Sequence, residues 1–154
     1  DGFSYVPANS YVPEQDASFA SYDQRQNISL LSTWALPAKF TFGTVLQAGS
    51  GLPYTELFGQ DVNHDGTAND RPFGVPRNSL RMESQASFDL RLGRNIALSK
   101  DKGGPSLALS ASAFNIANHA NYDSYQGVIS SPTFGQPLTA GPPRQLQFNA
   151  IVNF

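Results

Sequence analysis

The run Asp61-Val62-Asn63-His64-Asp65-Gly66-Thr67-Ala68-Asn69-Asp70 is the stretch whose side chains and spacing suit a chemical task. Oxygen-bearing residues at its first, third and fifth places, with Gly at the sixth, match the first half of a calcium loop. In such a loop alternate side chains and one carbonyl converge on a hard cation. The expected ligands are Asp61, Asn63, Asp65, Thr67, Asn69 and Asp70, and the expected cofactor is calcium. The twelfth place is Pro72, so the usual bidentate carboxylate is absent there, although Asp70 stands close by. The same residues also compose an Asx- and Gly-rich turn that bonds its own backbone. Arg71 is expected to pair with Asp65 or Asp70 under either reading.

Other chemistry is thinly supported. His64 and His119 lack Cys or Glu at zinc-ligand spacing. Ser50 sits between glycines but has neither the GxSxG elbow nor a nearby His, so a hydrolase is not expected. Asp89, Arg91 and Asn95 alternate along one segment and so share a face. They would line a transport path or form a ladder of polar contacts between strands. The expectation is a protein without enzymatic activity.

The elements that must position these residues have a period of two. In Gln145 to Phe154, Leu146, Phe148, Ala150, Val152 and Phe154 fall on one face, and Gln145, Gln147, Asn149 and Asn153 on the other, with Ile151 intruding. Gln26 to Leu36, Lys39 to Ala48, Gln85 to Leu98 and Ser106 to Ile116 repeat the pattern. Arg94 alone breaks the apolar face of Gln85 to Leu98, which otherwise presents Phe88, Leu90, Leu92 and Ile96. Each segment is near the ~9 to 11 residues a tilted strand needs to cross a bilayer. The expected fold is therefore all-β, an antiparallel meander of about five long strands. The turns at Leu36 to Lys39 and Ser99 to Pro105 are short, whereas the loops at about 49–84 and 117–144 are long. That alternation is the habit of outer-membrane barrels. Trp34, Tyr54, Phe58 and Tyr122 near strand ends suit interfacial girdles, with loop packing an equal account of the last three.

Composition agrees. Charged residues make up 14% of 154, against about 25% in ordinary soluble domains. No apolar run approaches the ~18 residues of a membrane helix. There is no Cys, and a net charge of -2 without a basic run argues against nucleic acid as a partner. The chain starts at Asp1 without an initiator Met, and the expectation is a processed or truncated start.

Gln147, Val152 and Phe154 resemble the terminal signal by which bacterial outer-membrane barrels are recognised for insertion; Asn149 stands where that signal usually has Gly. AGSGLPYT (Ala48 to Thr55), GQDVNHDGTANDRP (Gly59 to Pro72), PRNS (Pro76 to Ser79), FDLRLGR (Phe88 to Arg94), FNIANHANY (Phe114 to Tyr122), FGQP (Phe134 to Pro137) and PRQLQF (Pro143 to Phe148) occur in order. Together they resemble the C-terminal region of TonB-dependent outer-membrane receptors, in particular the Oar-like branch with a carboxypeptidase-regulatory-like N-terminal domain. The resemblance implies a barrel of about 22 strands around a plug, driven transport, and a place in the bacterial outer membrane. Residues 24–154 would be barrel strands, and 1–23 an extended arm or loop remnant. The expected partners are the remaining barrel strands or further copies of this chain, together with outer-membrane lipid.

Five antiparallel strands do not close a barrel, and open edges are not tolerated in lipid. An alternative is thus a structural subunit that pairs edge to edge into an extracellular filament, with the arm carrying Phe3, Tyr5, Tyr11, Phe19 and Tyr22 as a donated strand. A soluble calcium-dependent surface-binding module is a third reading.

Overall fold

Alternating sequences of nine to thirteen residues build five long strands among the described residues, and four short ones lie within the long connections. The computed structural model describes residues 7–9, 12–101 and 103–154. In chain order the strands are β1 (Asn27–Leu36), β2 (Phe40–Gly49), β3 (Pro53–Tyr54), β4 (Leu80–Arg81), β5 (Gln85–Ala97), β6 (Ser106–Phe114), β7 (Tyr122–Tyr125), β8 (Pro137–Ala140) and β9 (Gln145–Asn153). The long strands form one antiparallel sheet in the order β1-β2-β5-β6-β9, while β3-β4 and β7-β8 are separate two-stranded ribbons. The two ribbons lie where the sequence pattern alone suggests only loop. Their strands are two to four residues long, too short for a period to show.

The described residues fall into two compact units. One is the sheet unit, Asn27–Ala48, Gln85–Asn121 and Pro142–Phe154. The other is a loop unit, made of the described part of Asp1–Gln26 with Gly49–Ser84 and Tyr122–Gly141.

Register in the sheet unit sorts the side chains by chemistry. Across β5, β6 and β9 the rows Arg91-Ser112-Gln147, Gly93-Ser110-Asn149 and Ala97-Ser106-Asn153 lie on one face. Leu90-Ala113-Leu146, Leu92-Ala111-Phe148 and Ile96-Leu107-Val152 lie on the other. Small residues oppose large ones on the apolar face, with Ala111 against Phe148 and Leu109 against Ala150, which fits bulky side chains between neighbouring strands. The intruder Ile151 stands in the polar row beside Ala108 and Asn95.

The apolar face is exposed along its described residues. Among the described residues no hydrophobic side chain is buried, and Leu146, Phe148 and Ile28 are 67%, 79% and 61% exposed. A water-soluble chain of this length would bury about 70% of its extended surface and gather a core. A face this apolar needs a non-aqueous neighbour, and hydrocarbon is one.

Polar atoms on that face have answers within it. In the β1-β2 hairpin the Ser32 and Thr44 hydroxyls bond each other at 2.9 Å. Trp34 stacks on Phe42 with ring centroids 5.6 Å apart. These two contacts converge stepwise on the turn Pro37–Lys39, where the Phe40 N–H bonds the Pro37 carbonyl. Ala38 (φ 57) and Lys39 (φ 61) are both left-handed there, a region that L side chains enter at a cost of about 1–2 kcal/mol each. Ala38→Gly is accordingly expected to stabilise the hairpin by about 1 kcal/mol. The check is the unfolding midpoint of the complete barrel in denaturant, which should rise.

Candidate functional site: the polar sheet face and the loop unit

The acidic loop uses its carboxylates on its own backbone. Asp61 accepts the N–H of Asp65 at 3.1 Å and of Gly66 at 2.9 Å, and Asp65 accepts that of Thr67 at 3.0 Å. Asp70, 7% exposed, accepts the N–H groups of Val62 at 2.6 Å and Asn63 at 3.0 Å, while its own carbonyl takes the Phe58 N–H. His64 at φ 60 and Gly66 at φ 91 supply the left-handed positions that fold the run back on itself. Asn63 also donates to the Ala8 carbonyl, and Asn69 to that of Pro7, so the loop holds the N-terminal segment. Among the described residues no three His, Cys, Asp or Glu side chains gather into a metal-binding group.

The partner of Arg71 differs from the expectation. Arg71 pairs with Asp16, not with Asp65 or Asp70, and Asp16 also accepts the Ala8 N–H at 2.9 Å. Both side chains of the pair are buried, at 9% and 5% exposed. The reason is geometric: Asp70 is already committed to two backbone donors, and the 13–16 turn brings the Asp16 carboxylate to the guanidinium.

The described part of the N-terminal segment is held in the loop unit as irregular chain, with no strand between Ala17 and Gln26. Arg81 pairs with Asp23, and the Arg25 and Arg81 guanidinium groups sit 5.6 and 5.4 Å from the Phe19 ring centroid. Asn78, 5% exposed and at φ 57, donates to the Phe19 carbonyl at 2.7 Å and exchanges two hydrogen bonds with Thr55. Phe3, Tyr5 and Tyr11 lie outside the described residues. Tyr54 packs 5.4 Å from Tyr125, which meets Tyr122 edge-on at 6.0 Å, so Tyr54 and Tyr122 belong to a packed loop cluster. Burial, then Tyr125 and Glu56, raises the Tyr54 phenol above its ordinary 10.0. Gly51 in AGSGLPYT is required by close approach, since a Cβ there would lie 1.8 Å from the Met82 carbonyl oxygen.

On the polar sheet face the three expected residues separate into two roles. Asp89 accepts the Ser87 hydroxyl at 3.0 Å and the Asn115 N–H at 2.8 Å, so it caps the exit of β6. Arg91 and Asn95, both exposed, help line a shallow depression of about 380 Å³ together with Thr33, Gly43, Gly93 and Ser110. Among the described residues no ion pair joins Arg91 to Asp89. Gln147 donates to Asn149 at 3.2 Å on this face, whereas Val152 and Phe154 lie on the apolar one, Phe154 fully exposed.

Sequence reasoning missed the residues that fix the strand exits, although the FNIANHANY run contains them. Asn115, 6% exposed and at φ 46, donates to the His119 carbonyl at 2.9 Å and accepts the His119 N–H at 3.0 Å. Asn118 accepts the Arg144 N–H at 3.0 Å. Asn121 pairs with Ala86 as a strand would, accepting its N–H at 2.7 Å and donating to its carbonyl at 2.9 Å. The signal was the density of Asn just after an alternating segment.

Residues 72–147 match a family model described as an outer membrane beta barrel domain. The span runs from Pro72 through β5 and β6 into β9, and so includes the register that divides polar from apolar faces. The fold is all-β, of the outer-membrane barrel kind, and the location is the bacterial outer membrane. Comparison with curated proteins and with solved structures returned no match.

Asn115→Ala should cost about 2 kcal/mol or more, since it leaves buried groups unpaired at a left-handed position. Asn115→Gly should recover about 1 kcal/mol of that, read as denaturant midpoints. Asp70→Ala frees two N–H groups and should speed proteolysis within 61–70 about tenfold. In the unsubstituted chain a loop held by its own hydrogen bonds is cleaved at the same rate in calcium and in chelator; protection by calcium alone would instead establish an ion there.

Proposed function

We propose that this chain supplies C-terminal wall strands of a TonB-dependent outer-membrane receptor of the Oar-like type, a non-enzymatic transporter. The observation that carries the reading is the two-faced antiparallel sheet. Its strands of nine to thirteen residues are long enough to cross a bilayer, apolar on one face and amide- and hydroxyl-rich on the other, with no buried hydrophobic side chain among the described residues. The ordered motifs from AGSGLPYT to PRQLQF support the receptor branch. The polar depression with Arg91 and Asn95 would face the barrel interior.

The open edges favour a second reading. Among the described residues β1 and β9 each have one neighbour in the sheet, and in an antiparallel order of five they run the same way. Copies joined edge to edge would form a filament with a parallel seam.

Cells producing the complete barrel that carries this chain decide between the two. The expected result is a heat-modifiable protein in the outer-membrane fraction whose uptake of its ligand stops when TonB is deleted. Uptake that continues without TonB would remove the receptor assignment. Ordered, detergent-free fibres of the 154-residue chain would favour the filament.

A further inference from the structure

We propose that the short-turn edge of the sheet unit, the periplasmic edge in outer-membrane barrels, holds an anionic phospholipid in the leaflet on that side, its phosphate seated at Arg94 and Lys39. The proposal rests on the barrel reading and is independent of TonB. Its first support is the distribution of charge. All three lysines of the chain, Lys39, Lys100 and Lys102, fall in the two short turns, and Arg94 lies three residues before the end of β5. Lys102 is outside the described residues, so its part is its place in the sequence. Against these four cations the two turns hold one acid, Asp101, whose carboxylate takes the Ser99 hydroxyl at 3.0 Å. The chain as a whole is negative, at -2, so this edge is basic against the trend.

The second support is geometric. Arg94 projects from the apolar face, in register with Leu109, and its guanidinium lies 4.8 Å from the centroid of the Phe40 ring. That contact sets late β5 beside the first residue of β2, next to Lys39 in the turn. Among the described residues no carboxylate pairs with Arg94. A guanidinium on a lipid-facing strand extends its charge to the headgroup level and keeps its stem in hydrocarbon. The Phe40 ring takes one face of the planar cation, which leaves the N–H fork at its edge for an oxyanion, and phosphate matches that fork. Trp34, stacked on Phe42 on the same face of the β1-β2 hairpin, is a side chain typical of the interface depth.

The net positive edge selects among lipids. A zwitterionic headgroup brings its own ammonium, which these cations repel, whereas a headgroup of net negative charge does not. The mobile neighbour that a membrane offers at this depth is therefore an anionic glycerophospholipid.

The test uses the complete barrel that carries the chain, in nanodiscs of phosphatidylethanolamine with phosphatidylglycerol, and reads retained lipid by native mass spectrometry. Retention of phosphatidylglycerol over phosphatidylethanolamine is expected, undiminished by added inorganic phosphate. Arg94→Gln and Lys39→Gln should each lower that preference roughly fivefold. Lys39 is exposed in a turn, so its variant carries the test if Arg94→Gln does not fold. Equal retention of the two lipids, an unchanged preference in a folded variant, or selective retention of lipid A would overturn the proposal. Heat-modifiable migration reports the barrel separately. An unsubstituted protein that lacks it overturns the barrel reading and the lipid site together, while a proper barrel without lipid preference overturns the lipid site alone.

Discussion

Backbone hydrogen bonding at the two outer strands is the constraint on which the rest depends. In hydrocarbon each unpaired N–H or C=O costs several kcal/mol, so strands cross a membrane only in a sheet whose edges are paired. β1 and β9 lack an outer neighbour among the described residues, and five alternating strands leave those edges running the same way. A closed all-antiparallel wall needs an even total, so an odd number of further strands has to stand between the two edges. Bridging them directly by another copy would make a parallel seam, the geometric price of the filament alternative.

That constraint makes sense of the faces. A sheet whose backbone is satisfied by its neighbours is free to sort its side chains by solvent, and the register does so row by row. The exceptions on the apolar face are each matched locally. Ser32 and Thr44 share a hydrogen bond between their hydroxyls. Arg94 breaks the pattern near the end of its strand, where its long stem reaches the interface, with the Phe40 ring beneath the charge.

At the opposite ends of the strands the long connections are anchored by side chains that imitate backbone. Asn115, Asn121 and Asp89 each bond main-chain groups in the sheet unit, and Asn78 and Asp70 do the same in the loop unit. Such anchors let long segments leave a sheet without exposing its last hydrogen bonds, and they hold loop structure that has no apolar core of its own. They also account for the Asn- and Asp-rich motifs in structural terms, while Arg91 and Asn95 stay exposed on the polar face.

The amino-acid sequence by itself determined the five long strands to within one or two residues at each end, and which side chains share a face. Period two is a local property: alternation in Gln85 to Leu98 or Gln145 to Phe154 reads the same in the chain as in the sheet. It also located the tight turns and the long connections. Only the tertiary structure decided how individual polar groups are used. Asp70 spends its carboxylate on backbone donors, Asp89 on the Ser87 hydroxyl and the Asn115 N–H, and Arg71 takes Asp16, fifty-five residues away. Those choices depend on which groups the folded chain brings within about 3 Å, and separations of that kind leave no period in the sequence. The ribbons β3-β4 and β7-β8 were hidden for the same reason, since pairs of two to four residues gain their stability from the partner strand and not from a local pattern.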